Sequence, residues 1–227
     1  VDRDEDLTME KTIETIRILR KVYGYDDYIH LKIVPGASKD SIKRAMALAN
    51  RVSINIEAAT PSGLAELSST KDYNKDILKR LHWIDSLHGK STTYPNSTHT
   101  TQLIVGANDE SDREILHRME KIYNKTKLKR TYFSAFSPIQ ETDFENKEAC
   151  STNRTAKLYN ADSLLNDYHF KLNELVFNEN NQLSLTQDPK IMAAENMNIF
   201  PVEINSAPFV ELIRVPGIGI KSARKII

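Results

Sequence analysis

Cysteine is almost absent from this chain of 227 residues, where Cys150 stands alone. A lone thiol excludes an intrachain disulfide and any zinc or iron–sulfur site built from this chain's own cysteines. It also points to a reducing compartment, the cytoplasm. Cys150 lies in the polar stretch NKEACSTNR, without the pKa-lowering surroundings a nucleophile needs, and reads as a spectator thiol. Long apolar runs are lacking as well. Nothing approaches the roughly 18 apolar residues of a membrane span and no signal-peptide pattern opens the sequence, so no membrane partner is expected. Charge of one sign is lacking too: 31 Lys and Arg balance 31 Asp and Glu, so contact with a polyanion must rest on a local surface. No repeat of fixed period and no low-complexity tract occurs.

What is present alternates between helical and strand periods. Leu7–Lys21 repeats apolar residues at helical spacing. YIHLKIV (Tyr28–Val34), RVSINIE (Arg51–Glu57), TTQLIVGA and KRTYFSAF read as four strands. Helices are expected after PGAS, near Ser62–Leu67, over Asn74–Leu87 and over Asp109–Tyr123. Such alternation predicts a parallel α/β sheet or barrel. The pattern starts with a helix at a residue other than methionine, so the strand feeding it is expected upstream of Val1.

The strands alternate in polarity, whereas strands of a parallel sheet buried on both faces read as continuous apolar runs. Ile29, Leu31 and Ile33 share one face, opposite His30 and Lys32. Val52, Ile54 and Ile56 share the next, opposite Ser53, Asn55 and Glu57. With helices over the apolar face, the polar one is expected to form a solvated, ligand-binding interior, open where the strands end. His30, Lys32, Asn55, Glu57 and Gln102 are its candidate residues. An antiparallel sheet with one wet face is the alternative. His82, His88, His99, His117 and His169 fall on expected helices or loops, where a solvated role is the default.

From about 140 to 160 the pattern lapses into polar, unperiodic residues, read as a long connection, and YNADSLLNDYHFKLNELVF as a helix-and-turn unit. Asp188–Pro189 fits a helix start. SAPFVELIRVPGIGIKSARKII then reads as helix, tight turn, helix, with Ser206 as N-cap. Gly217 and Gly219 suit the turn, and their N–H groups, with Lys221, Ser222, Arg224 and Lys225, suit an anionic backbone. A basic αα-hairpin used only for packing is the alternative.

This segment resembles the helix–hairpin–helix element of DNA repair and recombination proteins, with Val215, Pro216, Gly217, Ile218, Gly219 and Ala223 at the positions of that signature. Binding to phosphates without sequence preference is what the resemblance implies. YIHLKIVPGAS, RVSINIEAATPSGL, TTQLIVGANDESDREIL, LKRTYFSAFSPI and FPVEINSAPFVELIRVPGIGIKSARKI, in this order, resemble the DNA modification and repair branch of the radical SAM proteins. The similarity runs from Leu7 to Ile227 and is weakest over Glu66–Thr98. It implies an α/β fold, a partial (β/α)6 barrel over residues 1–139. A helical and loop connection over 140–200 and a helix–hairpin–helix over 201–227 complete the expected organisation.

The cofactors the resemblance implies for the full-length protein are S-adenosylmethionine and a 4Fe–4S cluster, with DNA as partner and a repair protein as a further one. It carries SAM contacts onto Ser53, Asn55 and Glu57, and an adenine-contacting segment onto Ile104 and Gly106. With the face residues His30, Lys32 and Gln102, these make up the expected cofactor set; Val215 and Ile218 join the DNA-binding set. Two departures stand out. Thr98 and His99 replace a Gly–Gln pair, and the family's three cluster cysteines are missing, so this chain alone is expected to be inactive. Two rival readings remain: a non-catalytic DNA-binding protein on a vestigial barrel, and an unrelated barrel hydrolase using His30, Lys32 and Glu57.

Overall fold

A computed structural model describes residues 4–88 and 98–227. The first part of the chain runs α1 (Glu5–Lys21), β1 (His30–Lys32), α2 (Lys39–Met46), β2 (Arg51–Ser53) and α3 (Pro61–Leu67). A π-helical turn (Tyr73–Leu78) leads into α4 (Lys79–Leu87), and β3 (Thr98–Val105), α5 (Asp112–Tyr123) and β4 (Arg130–Ala135) follow. Side-chain caps fix several helix starts by occupying N–H groups that have no partner inside the helix. Asp4 accepts from Leu7 N–H, Ser38 from Ser41 and Thr60 from Gly63, while Ser111 and Glu114 form a capping box at α5.

The four strands lie in the order β1-β2-β3-β4, every pair parallel, and make an open sheet. Crossovers between successive parallel neighbours, right-handed as a rule, carry the connecting helices over one and the same face. Leu31, Val52, Leu103 and Phe133 are buried there in one core with Ile42 of α2, Leu81 and Ile84 of α4, and Ile115, Leu116 and Met119 of α5. That winding leaves the opposite face without crossovers. His30 and Lys32 are exposed on it, while Ser53, Asn55 and Thr100 are buried toward its centre. The antiparallel alternative is thereby excluded. Among the described residues no helix is long and apolar enough to cross a membrane.

Beyond β4 come α6 (Thr152–Asn166), a 3-10 turn (Leu172–Glu174), α7 (Pro189–Glu195), α8 (Phe209–Leu212) and α9 (Ile220–Ile226). Three sequence expectations are corrected here. The stretch read as a connection from 140 to 160 holds the first nine residues of a regular helix, α6, whose buried side includes Thr155 and Asp162 besides Leu158, Ala161, Leu164 and Leu165. Those inward polar groups erased its apolar period. The first helix of the terminal segment starts at Phe209 with Pro208 at the cap, because Glu203–Ser206 form a turn of their own in which Ser206 N–H donates to Glu203 C=O. The second strand ends its regular pairing at Ser53. Asp188 does cap α7, accepting from the N–H groups of Lys190 and Ile191, with Pro189 at the first helical position.

β4 is an edge strand, and α6 closes part of its edge. Phe133 N–H donates to Tyr159 Oη at 2.9 Å, and the same hydroxyl donates to Phe133 C=O at 3.3 Å, so one side chain serves both outward groups of that residue. The rings of Phe133 and Tyr159 meet edge to face, 5.1 Å between centroids. Asn166 donates to Lys129 C=O, just before the strand. A covered edge neither frays nor pairs with a second chain. Tyr159→Phe keeps the ring and removes the hydroxyl, which should cost about 1–2 kcal/mol. Urea unfolding should show a lower midpoint with an unchanged slope; an unchanged midpoint would remove the edge-sealing role.

Candidate functional site

Two surfaces gather the residues singled out by sequence. The first is the open sheet face toward the strand C-termini. Registers pair Lys32 with Ser53, Ser53 with Thr100, and Gln102 with Tyr132, and these share the face with His30 and Ile104. The side chains of Ser53, Asn55 and Gln102 have no hydrogen-bond partner among the described residues, although Ser53 and Asn55 are largely buried. Partial burial, then Arg51 and Lys32 nearby, push the His30 pKa below its ordinary value, so this end of the face is cationic.

Glu57 departs from the alternation. Pairing steps from Ser53↔Thr100 to Glu57↔Leu103, so β2 carries one residue more than β3 over this stretch, a bulge. Glu57 takes φ 62°, and its carboxylate lies 3.7 Å from Lys71 Nζ. Its placement is set by the bulge and the ion pair, so simple period-two counting does not apply to it.

Gly106 ends β3 at φ 85°, and a Cβ there would lie 2.7 Å from Cβ of Cys150. Glycine is needed for both reasons. Cys150 is thus packed into the chain's own structure, and burial pushes its thiol pKa up, as a spectator thiol requires. The loop that follows also works internally. Glu110 accepts from Ala59 N–H at 2.8 Å, Thr60 N–H at 2.7 Å and Thr60 Oγ1 at 2.6 Å, locking the entrance of α3 to the end of β3. Asn108 Nδ2 beside it is buried without a partner.

The second surface is the terminal hairpin. Leu212 and Ile213 bury against Ala223 across the turn, with Ile218 and Ile220 alongside. Within the turn Ile218 N–H donates to Val215 C=O, and Gly217 takes φ 84° with open space where a Cβ would stand. The N–H groups of Gly217 and Gly219 have no acceptor among the described residues. Lys221, Ser222, Arg224 and Lys225 are all exposed, and none has an ion partner among them. Arg214 holds the hairpin to the body by donating to both oxygens of Glu174, at 2.8 and 3.1 Å, with its guanidinium over the Phe170 ring. Lys190 of α7 donates to Ile218 C=O at 2.7 Å. Burial lowers the Lys190 pKa, with Asp188 opposing. Sequence reading missed both ties, because neither Glu174 nor Lys190 belongs to a motif.

His99 is a correction. Instead of lying solvated, it sits on β3 paired with Val52, on the helix-covered face, and is 1% exposed. Both ring nitrogens lack partners, and the His88 ring is 6.2 Å away. Among the described residues no group of three His, Cys, Asp or Glu could hold a metal ion. Comparison of the chain with protein-family models, with curated proteins and with solved structures finds no match in any of the three.

Burial lowers the His99 pKa to about 4, the Asp85 charge opposing and His88 reinforcing. The unfolded chain protonates this imidazole from about pH 6.5, the folded one only near 4, so acid favours unfolding. The stability contributed by neutral His99 is full above pH 6.5 and falls by up to about 3 kcal/mol as pH drops through 4. Urea melts between pH 7 and 4 should show that loss, and His99→Leu should flatten it. Equal slopes in both proteins would contradict the assignment.

Proposed function

We infer that this chain is the DNA-engaging part of a radical SAM enzyme of nucleic-acid modification or repair, docking on backbone phosphates through the hairpin at 212–226. The observation that carries the reading is the hairpin's geometry. Two short helices close over Leu212, Ile213 and Ala223, while the glycine turn and four polar or cationic side chains of α9 face solvent. Unbonded N–H groups at Gly217 and Gly219 suit phosphate oxygens, and the flanking cations add sequence-independent attraction. That arrangement agrees with the helix–hairpin–helix resemblance of VPGIG and Ala223.

The open face supports the SAM half of the reading. Ser53, Asn55 and Gln102 offer unpartnered polar groups suited to a ribose, and Ile104 offers apolar surface suited to an adenine. SAM held there would bring a sulfonium and an adenosyl group, which these residues would bind and orient. The cluster that would deliver the electron does not fit this chain: its one cysteine is packed against Gly106 with a raised pKa. What these residues contribute is binding and orientation alone. Cys150 also leaves the non-catalytic DNA-binding reading standing for the chain by itself.

Gly219 separates binding from folding. It sits at φ −89°, and a Cβ there would meet only Tyr168 Oη, at an ordinary 3.5 Å. Gly219→Val should therefore fold, yet weaken duplex DNA binding by about tenfold or more by blocking close approach of a phosphate. Gly217→Val, at φ 84°, should lose binding and roughly 1–2 kcal/mol of stability together. Fluorescence anisotropy with a labelled duplex, beside thermal melts, reads both. Undiminished binding by a folded Gly219→Val protein would refute the phosphate cradle.

A further inference from the structure

Toward the N-terminal ends of β2 and β4, on the face where Tyr132 is the register partner of Gln102, a cleft of about 410 Å³ opens between the sheet and α6. Arg51, Lys129, Arg130 and Tyr132 line one side, and Tyr159 and Asp162 of α6 line the other. Its charge is unbalanced in an informative way. Arg130 donates no hydrogen bond and joins no ion pair among the described residues, yet its guanidinium lies 5.4 Å from the Tyr132 ring centroid and 5.6 Å from that of Tyr159. Arg51 uses Nε on Thr98 Oγ1, at 3.0 Å, and stands 5.7 Å over Tyr28, leaving its terminal nitrogens for another acceptor. Lys129 has no ion partner among the described residues either.

The nearest acidic groups are already engaged. The single proton of Tyr123 Oη is shared between the two oxygens of Asp162, at 2.7 and 2.8 Å. Burial raises the Asp162 pKa to about 7, with the Asp167 charge reinforcing and the Tyr123 hydrogen bond and the Arg130 charge opposing. Asp167, at the rim, accepts from Ser163 Oγ and keeps its other oxygen for a hydroxyl.

Chemistry of three kinds therefore meets in one space of ligand size. Two arginines and a lysine lining one cleft suit a phosphate, since a guanidinium donates in a planar fork that matches its oxygens. Tyrosine rings suit a flat heterocycle by stacking, and a rim carboxylate suits a sugar hydroxyl. We propose that this cleft binds a nucleoside monophosphate unit, with Arg51 and Arg130 on the phosphate and Tyr132 on the base. The site stands on its own residues and does not depend on the hairpin or on SAM. The same unit is available as a free nucleotide or as a nucleotide of a single strand threaded past β4.

The test is titration of the whole chain with deoxyadenosine, deoxyadenosine 5′-monophosphate, inorganic phosphate and a short oligodeoxyadenylate, followed by the Nε–H NMR signals of Arg51 and Arg130. The monophosphate or the oligonucleotide should shift both signals, with deoxyadenosine at least tenfold weaker. Arg51→Ala with Arg130→Ala should abolish saturable binding. Arg130→Lys, which keeps charge without the fork, should retain a partial affinity and guards against misreading an unfolded double variant. A tighter oligonucleotide identifies the strand as the source; equal or tighter binding of the monophosphate identifies the free nucleotide. Deoxyadenosine matching the monophosphate, neither signal moving with any ligand, or Arg130→Lys and the folded double variant both binding as the parent does, would overturn the proposal.

Discussion

Everything in this molecule follows from strands added in sequence order, each parallel to the last. That order sends the connecting helices over one face, so each strand is buried on that side, His99 of β3 included, and is free to be polar on the other. Val52 and Leu103 answer to the helices; Ser53, Gln102 and Lys32 answer to solvent or ligand. The same winding creates a liability at β4, the last strand, and the Tyr159 hydroxyl meets it by serving both outward groups of Phe133. The polar face and the cleft at the β4 edge are consequences of a single topological rule.

The hairpin poses the complementary problem of size. Its own buried set, Leu212, Ile213 and Ala223, is too small to hold a fold by itself. Its stability is borrowed through Arg214 on Glu174 and Lys190 on Ile218 C=O, both partly shielded from water. Charge-assisted bonds of this kind are stronger than neutral ones and fix direction as well. They orient the hairpin with Lys221, Arg224 and Lys225 outward, and so link a packing detail to the cationic surface it exposes.

Much of this was legible in the sequence, for identifiable reasons. Period-two alternation at 29–33 and 52–57 marked the open face up to Asn55, because one-sided burial imposes it. Asp188–Pro189 marked a helix start, and VPGIG marked the turn that Gly217 makes at φ 84°. The failures are equally physical. Glu57 escaped because a bulge breaks the count on which alternation rests. His99 escaped because the expected strand TTQLIVGA starts one residue after it, whereas β3 begins at Thr98 and buries the neutral ring at a cost in acid stability. The start of α6 escaped because Thr155 and Asp162 face inward, Thr155 Oγ1 donating to Thr152 C=O within the helix and Asp162 accepting from Tyr123 of α5. Arg130 carried no motif at all; only the fold, by bringing Tyr159 and Asp162 beside it, gives it a site.

The central claim is that the hairpin grips the phosphate backbone and ignores base sequence. Affinity for two duplexes of equal length and unrelated sequence, measured from low to moderate salt, tests it directly. Three cations, Lys221, Arg224 and Lys225, should give a slope of log affinity against log salt near −3, the same for both duplexes. A flat salt dependence, or affinities that differ tenfold between the duplexes, would contradict it.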